Sequence, residues 1–163
     1  MERRFAHVCL LVHDIKQAIE DYRAILGVVD PQQLEDELVY YEDFGMGNER
    51  LAFATFPSDG CEIQFMQPKT PGTPLWERLQ SRGEHVHHIC FTSPNVDNIV
   101  EQLKQAEVDI VPQGISHDPD MPFQRWTFVH PERSHGVLVE LANDYASVDG
   151  RWAAAESAEQ LGS

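Results

Sequence analysis

Basic residues are scarce in this chain: 12 Lys and Arg stand against 27 Asp and Glu, for a formal net charge of −15. That balance argues against nucleic acid or an anionic membrane surface as partner, since both are held through dense positive charge. It leaves room for an anionic small substrate, because salt screens charges beyond about 10 Å and one cation can dominate locally. Long apolar runs are missing too. No stretch approaches the ~20 residues of a membrane-spanning helix, and no basic-then-apolar leader opens the chain, so a cytoplasmic protein is expected. Cysteine is limited to Cys9, Cys61 and Cys90, an odd number without a CxxC pair. Neither a disulfide framework nor a zinc knuckle fits that pattern, and reduced thiols buried in strands are expected.

What is present is repetition. The 163 residues are 42% apolar and 24% charged, ordinary values for a chain able to bury a sizeable core. HVCL at 7–10 and HICF at 88–91 are nearly the same word. Each leads into an amphipathic stretch. DIKQAIEDYRAILG (14–27) offers Asp14 as N-cap, an apolar stripe through Ile15, Ala18, Ile19, Tyr22, Ile25 and Leu26, and Gly27 as helix stop. SPNVDNIVEQLKQA (93–106) offers Ser93 or Asn95 as cap and a stripe through Val96, Ile99, Val100 and Leu103. Each half also ends on two strands joined by a turn, RLAFATFPSDGCEIQFMQP (50–68) and QRWTFVHPERSHGVLVELAN (124–143), the second turning at Pro131 to Gly136. With a further strand near 36–44 and 108–113, the chain reads as a duplicated strand–helix–strand–strand–strand unit. Module one covers about 5–68, a Pro/Gly/Thr linker with a short helix from about Thr73 fills 69–84, and module two covers about 85–143. Residues 144–163 are expected to be a loose tail or a short surface helix.

Residues two apart on a strand share a face. Val8, Leu10 and Val12 supply the apolar face a covering helix needs, which leaves His7 and Cys9 on the other. The same count separates His88, Cys90 and Thr92 from Ile89 and Phe91. It also sets Glu62, Gln64 and Met66 against Ile63 and Phe65, and Glu140 against Val139 and Leu141. Four polar groups therefore lie on the face away from the helices: His7, Gln64, His88 and Glu140. A Gln and a Glu within EIQFM and VLVEL carry a desolvation cost unless something satisfies them. A divalent metal ion would satisfy all four, as a mixed N/O ligand set. His87 alternates to the opposite face and is expected at the surface or against a partner. His13, His85, His117, His130 and His135 sit at strand or helix starts and in turns, where solvation is expected.

These residues carry a resemblance. HVCLLVHDIKQAIEDYRAILGV, EIQFMQP, PLWERLQSRGEHVHHICF and HPERSHGVLVELA resemble the vicinal-oxygen-chelate superfamily of glyoxalases, bleomycin-resistance proteins and ring-cleaving dioxygenases. They are most similar to its methylmalonyl-CoA epimerase branch. The resemblance covers nearly all of 5–143 as one domain. It implies an α+β fold in which two βαβββ modules form a cupped mixed sheet around a central metal site. The family's ligand positions fall on His7, Gln64, His88 and Glu140, the quartet that strand alternation selects. It further implies one divalent ion (Co, Mn, Ni, Zn, Fe or Mg) with two open coordination sites, acting as Lewis acid while a proton next to a carbonyl is removed.

Carboxylates must move that proton, and the resemblance implies Glu140 on one side and a glutamate from the loop before the third or fourth strand on the other. In YYEDFGMGNERLAF that glutamate is Glu49, with Glu42 in reserve. This segment and GISHDPDMPFQRW depart from the epimerase pattern, and Met46, Phe123 and Trp126 offer an aromatic lining for a different substrate. The expected activity is a metal-dependent epimerase or isomerase on a small molecule, with an acyl-CoA as the candidate, in a homodimer. The alternatives are a glyoxalase-like lyase on a hemithioacetal and a non-catalytic small-molecule-binding protein.

Overall fold

Asp14 opens the first helix by accepting hydrogen bonds from the backbone N–H groups of Lys16 and Gln17, at 3.0 and 3.1 Å. Two free backbone donors are thereby satisfied, and the apolar stripe after them is set on one face. The protein is described here by a computed structural model, which covers residues 5–46 and 48–156. It forms two units. One holds Val8–His87 with Asp149–Arg151; the other holds the described residues up to His7, His88–Val148 and those from Trp152 on.

In the first of these, strand β1 (Phe5–Leu11), which enters it at Val8, leads into helix α1 (Ile15–Val29). Ile15, Ile19 and Leu26 are buried against Val12, Ala52, Ala54, Phe56 and Phe65, with Leu10 and Ile63 packed alongside. Leu10, Val12, Ile63 and Phe65 are among the strand residues that alternation assigns to the helix side. Strands β2 (Val39–Met46), β3 (Glu49–Phe56) and β4 (Glu62–Pro68) follow, antiparallel, with Thr55 opposite Gln64 and Ala54 opposite Phe65. The other side of β3 and β4 is buried as well, through Leu51, Phe53, Thr55, Gln64 and Met66. Helix α2 (Pro74–Arg82) follows Thr73 and stops at Gly83, whose φ of +71° suits a residue without a Cβ.

Two expectations are corrected in this unit. Gly27 does not stop α1, which runs on to Val29, and the Asp30 N–H closes on the Leu26 carbonyl at 2.9 Å. A glycine costs a helix interior only about 1 kcal/mol, so it does not end one while the next turn still packs. The helix ends where Pro31 begins a 3₁₀ turn, Pro31–Leu34. His87 is not a surface residue but is 9% exposed. Burial on that side is local to His87, since Phe91 on the same face is 38% exposed, and alternation assigns a side without saying which of its residues meet water.

The second unit repeats the order. Strand β5 (His85–Ser93) crosses from the first unit at His88 and leads to helix α3 (Val96–Gln105), then to β6 (Ile110–His117), β7 (Arg125–Val129) and β8 (Val139–Asn143). Asn95 is the cap, accepting from the Asn98 N–H at 3.1 Å, and Asn143 accepts from the Val96 N–H at 3.2 Å. β8 runs parallel to β5 with Cys90 opposite Glu140, and antiparallel to β7 with Phe128 opposite Glu140. The Arg125 guanidinium donates twice to Asp97 in the first turn of α3, at 2.5 and 2.8 Å. The α+β class and the βαβββ order of both halves are as the sequence implies. No helix among the described residues is long and apolar enough to cross a membrane.

The segment expected to be a loose tail contains a hairpin, β9 (Tyr145–Val148) paired with β10 (Arg151–Ala154). Its turn is Asp149–Gly150, with φ of +48° and +68°, the two positive values that favour Asp-Gly in a tight hairpin. Trp152 is 8% exposed and anchors the return strand. Residues 157–163 of the expected tail lie outside the described residues.

Two outcomes follow from this packing. Phe65 is fully buried, so Phe65→Ala should lower stability by about 3–5 kcal/mol, read as a lower denaturant midpoint in chemical unfolding. Arg125 holds the Asp97 carboxyl below its ordinary value of 3.8, chiefly through their hydrogen bonds. The stabilisation is thus present above that ordinary value and lost as pH falls through the depressed one. Melting curves across acid pH should show Asp97→Asn with a shallower acid loss than the parent, and equal slopes would refute the coupling.

Candidate metal centre

Glu140 is the second residue of β8, on the face away from α3, with β5 on one side and β7 on the other. Because β5 and β8 are parallel and Cys90 stands opposite Glu140, His88 is one same-face step before that pair. Its Nε2 reaches the Glu140 carboxylate at 2.8 Å, and the two side chains are 6% and 14% exposed. His7, from the start of β1, belongs to the same unit. Its Nε2 lies 3.1 Å from Nε2 of His88, with the two rings edge to face. Three of the four residues expected as ligands therefore converge in one buried place. The fourth, Gln64, lies in the other unit, 6% exposed, with its amide nitrogen 3.5 Å from the Thr55 hydroxyl.

The remaining candidates divide in the same way. Glu49 is half-buried at the start of β3, in the first unit, and accepts from the Leu75 N–H at 3.3 Å in the first turn of α2. Glu42 is exposed and faces the Lys16 ammonium at 3.5 Å. Met46, Phe123 and Trp126 are each half-buried. Trp126 is opposite Ala142 on β7, so it shares the face that Glu140 presents. His13, His117 and His135 are exposed.

The structure adds three residues that the sequence reading passed over. Cys90 offers a sulfur that lies within 4.8 Å of ligand atoms of His7 and Glu140. Phe128 faces His88 edge-on, with ring centroids 6.0 Å apart, and makes an apolar wall on the β7 side. Tyr145, in the hairpin after the repeat, places its hydroxyl 2.8 Å from Nδ1 of His7. Only the register between β7 and β8, which sets Phe128 opposite Glu140, identifies Phe128. The Asp-Gly turn four residues after Tyr145 was the available sign that the last segment is ordered.

The donor chemistry and spacing can be tested against a metal ion. Ligand atoms about 2.1 Å from a divalent cation and at right angles to one another are about 3.0 Å apart; the tetrahedral angle sets them about 3.4 Å apart. The observed steps are 3.1 Å from His7 to His88 and 2.8 Å from His88 to Glu140. They match two edges of an octahedral site, and two imidazoles with a carboxylate suit a borderline divalent ion. The residues fit the group.

The comparisons agree on the fold family. A profile of the Glyoxalase/Bleomycin resistance protein/Dioxygenase superfamily matches residues 6–123. The ethylmalonyl-CoA/methylmalonyl-CoA epimerase of Cereibacter sphaeroides is 28% identical over 143 residues, covering 85% of this chain and 96% of that protein. The human mitochondrial methylmalonyl-CoA epimerase is 26% identical over 144 residues, 85% of this chain and 72% of that one. Among solved structures, a variant of the Streptomyces coelicolor methylmalonyl-CoA epimerase in complex with 2-nitronate-propionyl-CoA superposes with a TM-score of 0.66. It is 26% identical and covers 90% of this chain and 100% of that one. Two βαβββ halves, a buried His–His–Glu cluster and a profile match over most of the length lead to one assignment: this chain belongs to the Glyoxalase/Bleomycin resistance protein/Dioxygenase superfamily.

Proposed function

We propose that the protein is a metal-dependent epimerase or isomerase that moves a proton on the carbon next to a carbonyl, with an acyl-CoA of the methylmalonyl-CoA kind as substrate. The observation that carries this reading is the chain of contacts from His7 to His88 to Glu140, spaced as adjacent ligands of one ion. The relatives support it, since two curated epimerases align over 85% of this chain.

In this reading His7, His88 and Glu140, all of one unit, hold a divalent cation, and Gln64 is a fourth ligand on the ground of the sequence pattern alone. When bound, the cation supplies Lewis-acid stabilisation of negative charge developing on a substrate carbonyl oxygen. Glu140 is largely buried, beside Phe128 and Cys90 in the sheet, so little water competes for its carboxylate. It acts as base on one side of the substrate. The sequence pattern names Glu49, which accepts from the Leu75 N–H, as the acid and base for the other side. Trp126 and Phe128 line the apolar approach along β7. A homodimer belongs to the same reading and is checked by sedimentation equilibrium at several concentrations.

The deciding experiment is α-proton exchange in deuterated water with racemic methylmalonyl-CoA, followed by mass spectrometry. Metal-loaded protein should exchange the α-proton. Glu140→Gln should slow exchange by about 10²–10³-fold. Glu49→Gln should still exchange one epimer but fail to invert it, because only one of two opposed bases is lost. No exchange by metal-loaded protein would remove this substrate, and turnover of a glutathione hemithioacetal instead would move the assignment to a lyase. His88→Ala should lose the metal by elemental analysis; retention of stoichiometric metal would refute the ligand set.

A further inference from the structure

His7 turns Nε2 toward the cluster, 3.1 Å from Nε2 of His88, which in turn lies 2.8 Å from the Glu140 carboxylate. Its other ring nitrogen, Nδ1, is 2.8 Å from the Tyr145 hydroxyl. A neutral imidazole that gives a metal ion its Nε2 lone pair carries its single proton on Nδ1. In that state His7 Nδ1–H donates to Tyr145 Oη.

We infer that Tyr145 is a positioning residue for the metal centre: its hydroxyl holds His7 in the Nδ1–H tautomer, with the Nε2 lone pair aimed at the cluster. Metal-bound histidines typically donate their second ring N–H to an oxygen, which fixes tautomer and ring orientation. Here the oxygen comes from β9, a strand that follows the duplicated modules and is kept in place by the Asp149–Gly150 turn and buried Trp152. The hairpin thus has a purpose that a loose tail could not serve. The rings of His7 and Tyr145 also lie close, with centroids 6.1 Å apart, so the orientation rests on ring contact as well as on the hydrogen bond. The inference deepens the metal-centre reading and rests on it for its purpose, but the tautomer itself is a property of the metal-free chain.

That separation sets the test. Long-range proton–nitrogen correlation spectra of the metal-free protein report which ring nitrogen of each histidine bears the proton, with His7→Gln identifying the His7 signals. The parent should show His7 as a single Nδ1–H tautomer. Tyr145→Phe keeps the ring and removes only the hydroxyl; it should give a mixture, and cobalt titration by calorimetry should show affinity weakened about 10–100-fold. Ser147→Ala, on the same face of the same strand, should leave both unchanged. A His7 signal that stays Nδ1–H in Tyr145→Phe, or one that Ser147→Ala shifts equally, overturns the role of Tyr145. A parent that binds no cobalt yet loses its tautomer in Tyr145→Phe upholds the hydrogen bond while removing the metal-centre reading.

Discussion

A carboxylate that can only accept hydrogen bonds, largely buried in a strand, is the constraint on which the site depends. Glu140 sits between β5 and β7, opposite Cys90 on one side and Phe128 on the other. Neither neighbour can satisfy a carboxylate fully, so the imidazole of His88 must come to it. That requirement passes along the face: His88 is engaged by Glu140, His7 by His88 and by Tyr145. The Tyr145 contact aims the Nε2 lone pair of His7 at the cluster before binding, which spares a buried site some reorganisation at the moment of binding.

The sheets make this arrangement affordable by separating two tasks by face. In the first unit the side of β3 and β4 toward α1 is aliphatic and aromatic, led by Ala54, Phe56 and Phe65. Burying that side contributes the stability, at roughly 25 cal/mol per Å² of apolar area. In the second unit Val96 and Val100 are the buried residues of α3. The opposite faces are then free to hold polar side chains, and there stand His88 and Glu140 in one unit and Gln64 with Thr55 in the other. A helix on one face of a strand is thus the reason a histidine can begin an apolar run without disrupting it.

Much of this was legible because it is local. Asp14 and Asn95 cap their helices through their own side chains, and a hydroxyl, amide or carboxylate beside a run of helical period is visible in a string of letters. Strand alternation likewise put His7, His88 and Glu140 on the face away from the helices, and the structure has them touching. Other features depend on what lies across space. His87 is buried although alternation pointed to the surface or a partner contact. Gly27 stays helical because the helix goes on to pack, not because its own propensity favours it. Phe128 meets His88 only through the registration of three strands.

Tyr145 marks the division most plainly. The sequence by itself determined the duplicated order of strands and helices, the polar face of each sheet and the residue types able to bind a divalent ion. It could do so because period, capping and alternation act within a few residues along the chain. Which tautomer His7 holds, and that a hydroxyl from the last hairpin selects it, was decided only by tertiary structure. Residues 7 and 145 are 138 positions apart, and no local pattern encodes a hydrogen bond over that separation.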